Sequence, residues 1–88
     1  MALFLDQHSV TAYGTKEEAD RCRRYFRALY DLAQEDDRFK SNFRWFQRAL
    51  PEKRNWWVAR IEADVAAGKH NTVAADIVVR AISLRLDE

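Results

Sequence analysis

Residues 15–35, TKEEADRCRRYFRALYDLAQE, decide the fold class. Thr15 and Glu18 form a Thr-x-x-Glu capping box, in which the Thr15 hydroxyl accepts the N–H of Glu18 and the Glu18 carboxylate reaches back. Acidic side chains in that first turn also suit the positive end of the helix dipole. Ala19, Cys22, Phe26, Leu29 and Ala33 step by three and four, and Tyr25 and Leu32 widen the stripe, so the spacing predicts an amphipathic helix over 16–35. Arg21, Arg23, Arg24 and Arg27 fall mostly outside it.

Working outward, Asp36-Asp37 reads as a boundary and a new N-cap. Phe39, Phe43, Phe46 and Leu50 repeat at helical spacing and predict a helix over 37–50. Pro51 fits the first turn of the next helix, where its missing N–H costs nothing. The segment 51–67 carries Trp57, Val58, Ile61 and Val65 on one stripe, with Trp56, Ala59, Ala63 and Ala66 beside it. Gly68 suits a left-handed stop. Asn71 or Thr72 caps a last helix over 72–86, whose polar strip is narrow: Thr72, Asp76, Arg80, Ser83 and Asp87. Its other positions (Val73, Ala74, Ile77, Val78, Ala81, Ile82, Leu84) are apolar, which places the helix at the centre of the fold or half under a second subunit. Residues 1–14 lack helical period and read as an arm that docks Leu3 and Phe4. The expectation is an all-α, single-domain bundle of four helices spanning 1–88, with a short N-terminal arm.

The chain has 88 residues and a formal net charge of +1, from fifteen Lys plus Arg against fourteen Asp plus Glu. That length allows one domain with a small core. The balance argues against an acidic nucleic-acid mimic, and against coating nucleic acid by bulk charge. Two glycines and one proline leave few sharp turns, which favours long helices. No apolar run approaches the roughly 20 residues of a membrane span. The start has no basic region and too short an apolar stretch for a signal peptide. The single Cys22 cannot form an internal disulfide and reads as a small buried hydrophobe in a reducing, cytoplasmic setting.

Catalytic chemistry is not legible. His8 and His70 have no companion ligands at metal spacing, whereas a zinc site needs about four. Cys22 has no base positioned beside it. No glycine-rich loop is present to cradle phosphate. The acidic pairs Glu17-Glu18 and Asp36-Asp37 read as capping and dipole compensation. The expectation is therefore a non-enzymatic protein without cofactor or metal.

Binding is the better prospect. Eleven aromatics serve 88 residues, and six of them lie between Phe39 and Trp57. Trp45 is off the phenylalanine stripe, and one helix cannot aim both Trp56 and Trp57 at the same core centre. At least one of the three must reach a rim or the surface. Aromatic and arginine side chains are what protein interfaces concentrate. Trp45, Trp56 and Trp57, supported by Arg44, Arg48 and Arg60, are accordingly the candidate partner-binding residues of an inhibitor, adaptor or assembly subunit. Short proteins with no catalytic set often act this way, those carried by mobile elements among them. Self-association through the last helix is compatible with this reading. Arg21 to Arg27 read as a solvated face, because acidic residues interleave with them at helical spacing.

From Leu50 onward the chain also resembles ribbon-helix-helix repressors and antitoxins. Leu50-Pro51-Glu52 is similar to the Leu-Pro-Glu that opens their first helix. Residues 61–70, IEADVAAGKH, resemble the end of that helix and its loop. Residues 75–82, ADIVVRAI, resemble the Ser-Glu-hydrophobic-hydrophobic-Arg-x-Ala-Leu of their second helix. The resemblance implies an intertwined dimer whose paired strands, here at about Phe43 to Ala49, enter the DNA major groove. Arg44, Gln47 and Arg48 would then be the nucleic-acid contacts. Helical and extended readings of 43–49 thus remain side by side.

Overall fold

In the computed structural model, residues 13–69 and 71–84 are described. Thr15 starts the first helix by accepting the Glu18 N–H at 3.0 Å. The return bond differs from the expected one: the Thr15 hydroxyl itself donates to the Glu18 carboxylate at 3.2 Å. Four α-helices follow: α1 (Lys16–Glu35), α2 (Lys40–Arg48), α3 (Pro51–Ala66) and α4 (Thr72–Ser83), with a short 3-10 turn at Asp37–Phe39 before α2. No strand occurs among the described residues. The fold is the expected all-α bundle.

α1 is the central element, and the other three helices pack around it. Its predicted stripe is buried throughout, joined by Ala28. Asp36 ends α1 and caps the 3-10 turn, accepting the Arg38 N–H at 2.9 Å. α3 stops at a Schellman motif around Gly68, whose φ of +75° only glycine adopts cheaply. There the Lys69 N–H reaches the Asp64 carbonyl at 2.8 Å and the Gly68 N–H reaches that of Val65 at 3.1 Å. Asn71, rather than Thr72, caps α4 by accepting the Ala74 N–H at 2.8 Å.

Three expected boundaries need correction. The helix predicted over 37–50 is a 3-10 turn followed by α2, and Ala49 and Leu50 are extended. Proline disfavours helical backbone in the residue before it, so Pro51 pulls Leu50 off the stripe and leaves it 65% exposed. α4 ends at Ser83 with Leu84 extended; residues 85–86 of its predicted span lie outside the described residues. α4 is not fully central either, because Ile82 is 68% and Val79 65% exposed while Ile77, Val78 and Ala81 are buried. Of the arm predicted over 1–14, only Tyr13 and Gly14 are described, and Leu3 and Phe4 lie outside.

The least ordinary feature of the core is Arg54. It is buried, and among the described residues no carboxylate pairs with it. Its Nε donates to the Phe46 carbonyl at 2.7 Å and its Nη2 to the Gln47 carbonyl at 2.8 Å. Its Nη1 donates to the Tyr13 hydroxyl at 2.8 Å. The guanidinium thus covers the Gln47 carbonyl and adds a second donor to the Phe46 carbonyl, which also accepts the Ala49 N–H at 3.3 Å, and its charge faces the negative end of that helix. The Phe46 and Phe26 rings, with centroids 5.2 and 5.7 Å from the guanidinium carbon, add cation–π attraction. Every nitrogen of the fork is used, which is what makes burial of the charge tolerable.

Two stability predictions rest on these contacts. Arg54→Met keeps the stem but removes the guanidinium donors to the Phe46 and Gln47 carbonyls and to the Tyr13 phenol, leaving only the Ala49 N–H at Phe46, and should cost about 3 kcal/mol or more in urea unfolding, a large share of a small domain's total. Tyr13→Phe should cost less, about 1–2 kcal/mol. Acid acts through three solvent-accessible carboxylates, of which Glu35 is exposed and Asp20 and Asp36 are partly covered. Lys16 holds the Asp20 carboxyl below its usual range, the two-pronged Arg80 contact does so for Glu35, and the Arg38 N–H and guanidinium do so for Asp36. Their folded pKa values are depressed, so their contribution is present above the usual carboxylate range and is lost as pH falls through the depressed values. The urea midpoint should fall modestly from about pH 4 downward, and less in Glu35→Gln.

Candidate functional site

α2 and α3 carry a chain of aromatic rings from the core to the surface. Phe26 of α1 meets Phe43 edge-on at 5.5 Å and lies 6.4 Å from Phe46. Phe46 is 5.7 Å from Trp57, and Trp57 is 5.7 Å from Trp45. Trp45 is the last ring, 41% exposed. One side of it is fixed by Trp57 and Phe46 and the other opens on a depression lined by Ser41, Arg44, Trp45, Arg48 and Ala49. Arg44 and Arg48 are both exposed, stand one turn apart, and have no ion-pair partner among the described residues.

The candidate residues thus divide into two groups. Arg44, Trp45 and Arg48 come together on α2, with Trp57 half-buried behind them. Trp56 is 57% exposed on the outer side of α3, where the Arg60 guanidinium lies over its ring at 6.0 Å. Arg60 is also paired with Asp64 at 3.3 Å. No ring contact joins Trp56 to the other two tryptophans among the described residues. Adjacent helical residues diverge by about 100°, so Trp57 faces the core edge and Trp56 faces away. Gln47 is exposed on α2, and residues 43–48, where the ribbon-helix-helix resemblance places a strand, are helical.

Several other polar groups are tied up in structure, although the Arg21 Nε is buried without a hydrogen-bond partner among the described residues. On α1, Arg23 pairs with Asp20 at 3.3 Å, Arg27 with Asp31 at 3.5 Å and Arg21 with Glu62 of α3 at 3.3 Å. The Tyr25 hydroxyl donates to Glu62 at 2.7 Å, and burial together with that bond keeps it protonated well above the usual phenol range. Cys22 is fully buried and its Sγ donates to Asn55 at 3.2 Å. Burial pushes this thiol up to about 11, away from the thiolate a nucleophile requires. No group of His, Cys, Asp and Glu able to hold a metal ion occurs among the described residues.

Three residues with positioning roles escaped the sequence reading: Arg54, Tyr13 and Asn55. Asn55 donates to the Tyr13 carbonyl at 3.2 Å while accepting from Cys22. The available signal was register. Arg54, Val58, Ile61 and Val65 step by four, three and four, so Arg54 occupies the first core position of α3. Comparison with known proteins adds nothing to this geometry: no protein-family model, curated protein or solved structure matches the chain.

The two adjacent tryptophans should behave oppositely. Trp57→Ala removes the ring between Phe46 and Trp45 and should cost about 3 kcal/mol in urea unfolding. Trp56→Ala should stay within about 1 kcal/mol of the parent, since little of its ring is covered.

Proposed function

We propose that the protein is a non-enzymatic helical module that works by binding another protein, as an inhibitor, adaptor or assembly subunit in the cytoplasm. The observation that carries this reading is Trp45: a large ring, open on one side, held on the other by Trp57 and Phe46, and bracketed by two arginines without ion-pair partners among the described residues. A rigid aromatic buries area at little entropic cost, and flanking guanidiniums supply directional hydrogen bonds at the rim. Arg44, Trp45 and Arg48 form the contact surface, with Trp57 as its support. Trp56 and Arg60 form a second contact on the outer side of α3. Val79 and Ile82 leave an apolar stripe of α4 open, through which self-association would accompany this role. No helix among the described residues is long and apolar enough to cross a membrane.

The alternative, a dimeric ribbon-helix-helix-like DNA-binding regulator that uses Arg44, Gln47 and Arg48, makes a different demand on solution behaviour. Neutralising several phosphates gives an affinity that falls steeply with salt. The immobilised protein should retain a specific partner protein that Trp45→Ala and Arg44→Glu/Arg48→Glu, verified as folded by circular dichroism, fail to retain. Random duplex DNA should show no binding at low salt. Salt-sensitive duplex binding lost in the arginine variant, with no protein partner, would favour the regulator instead.

A further inference from the structure

The Trp45 depression also specifies the chemistry of its occupant. α2 contains no acidic residue. Its one further cation, Lys40, is satisfied by Asp37 at 3.1 Å. Arg44 and Arg48 are therefore a local excess of positive charge inside a chain whose formal net charge is only +1. Helical rise separates their backbones by about 6 Å, a distance that two carboxylates on one face of a peptide can match. A guanidinium with no carboxylate at hand offers a planar fork suited to one. With the two arginines, Trp45 and Ala49 line the depression as its apolar part.

We infer that this depression docks an acidic segment of a partner protein, with an apolar side chain seated on the open face of Trp45 and carboxylates paired to Arg44 and Arg48. The inference rests on the protein-binding reading and adds the class of partner. Two features select a peptide over a polyanion. Part of the lining is apolar, so an occupant that brings charge alone leaves Trp45 uncovered. Among the described residues only two unpaired guanidiniums line the depression, too few for the many phosphate contacts that hold a protein on nucleic acid.

The test is selection of random displayed dodecapeptides on the full-length protein, followed by titration of the synthesised peptides. The expected peptides carry Asp or Glu on either side of a large apolar residue. Their affinity should drop at least about tenfold in Arg44→Glu/Arg48→Glu and in Trp45→Ala, and should weaken at roughly 0.5 M salt. The arginine variant keeps the test clear of folding, because both side chains are exposed and unpaired. Neutral or basic peptides that still depend on Trp45 would overturn the acidic class and leave the protein-binding surface standing. Peptides indifferent to all three substitutions, or none at all, would overturn both. Binding of duplex DNA or of phosphatidylserine vesicles that the arginine variant abolishes, without any acidic peptide, would overturn the choice of occupant.

Discussion

A positive charge buried without a counter-ion among the described residues is the constraint around which the bundle is organised. Arg54 lies one turn into α3 and reaches back over the loop to the last carbonyls of α2. An isolated helix of α2's nine residues is marginal in water. Pro51 stops it; the Ala49 N–H reaches the Trp45 and Phe46 carbonyls, and the acceptor capacity left at Phe46 and Gln47 calls for further donors. Arg54 supplies them through a fork whose geometry fixes the end of α2 relative to α3. Its third arm holds Tyr13, so the entry to α1 is registered against the same point. Lysine, a single rotatable ammonium, would not bring three separate groups into one geometry. The charge is stabilised by oriented carbonyls and ring faces instead of a carboxylate, which avoids placing a second ion in the core.

The position of Trp45 follows from that arrangement. With α2 pinned at its end and Phe46 buried beneath the guanidinium, Trp45, the neighbour of Phe46 on the helix, is turned to the rim. There it rests on Trp57, itself placed by α3. The exposed ring is therefore the end of a stack that runs back through Phe46 and Phe26 to the central helix. Its orientation is set before any partner arrives, which lowers the entropic cost of using it. Trp56 has no such backing and is steadied only by Arg60 and solvent-exposed contacts.

α1 was legible in the sequence because a single physical rule governs it: a helix at the centre of a bundle shows the apolar period directly, and Thr15 marks its start. Asp36, Pro51, Gly68 and Asn71 were legible for the same reason, since caps act on neighbouring backbone. Leu50 was misread because two local rules compete there: helical spacing places it on the stripe, and the following proline removes it. The end of α4 carries a competing signal, because residues 82–86 (Ile-Ser-Leu-Arg-Leu) alternate apolar and polar as a strand would. In the structure Ser83 donates to the Val79 carbonyl at 2.6 Å and the helix ends there. That one of the two adjacent tryptophans must turn outward follows from helix geometry alone. Which one depends on where α1 lies against α3, and no local pattern carries that. Arg54 was hidden for a related reason, because its three acceptors come from another helix and a distant tyrosine.

The near-neutral total conceals a division of labour between helices. The arginines of α1 that pair do so with acids three or four residues away, or with Glu62 across the interface, and so contribute to structure with little outward field. Arg44 and Arg48 make no such pair among the described residues: α2 carries no acids, and Glu52, four residues beyond Arg48, lies on α3 past the extended Ala49 and Leu50. The same residue type is thus spent on cohesion in one helix and left available in another, and only the local acid content distinguishes the two. Two free guanidiniums steer and orient an approaching anion more than they hold it, since exposed ion pairs contribute little and are screened by salt. The holding has to come from covering the open face of Trp45, where apolar area is removed from water. In the proposed complex, charge would set which partner approaches and in what register, and the seated ring would set how long it stays.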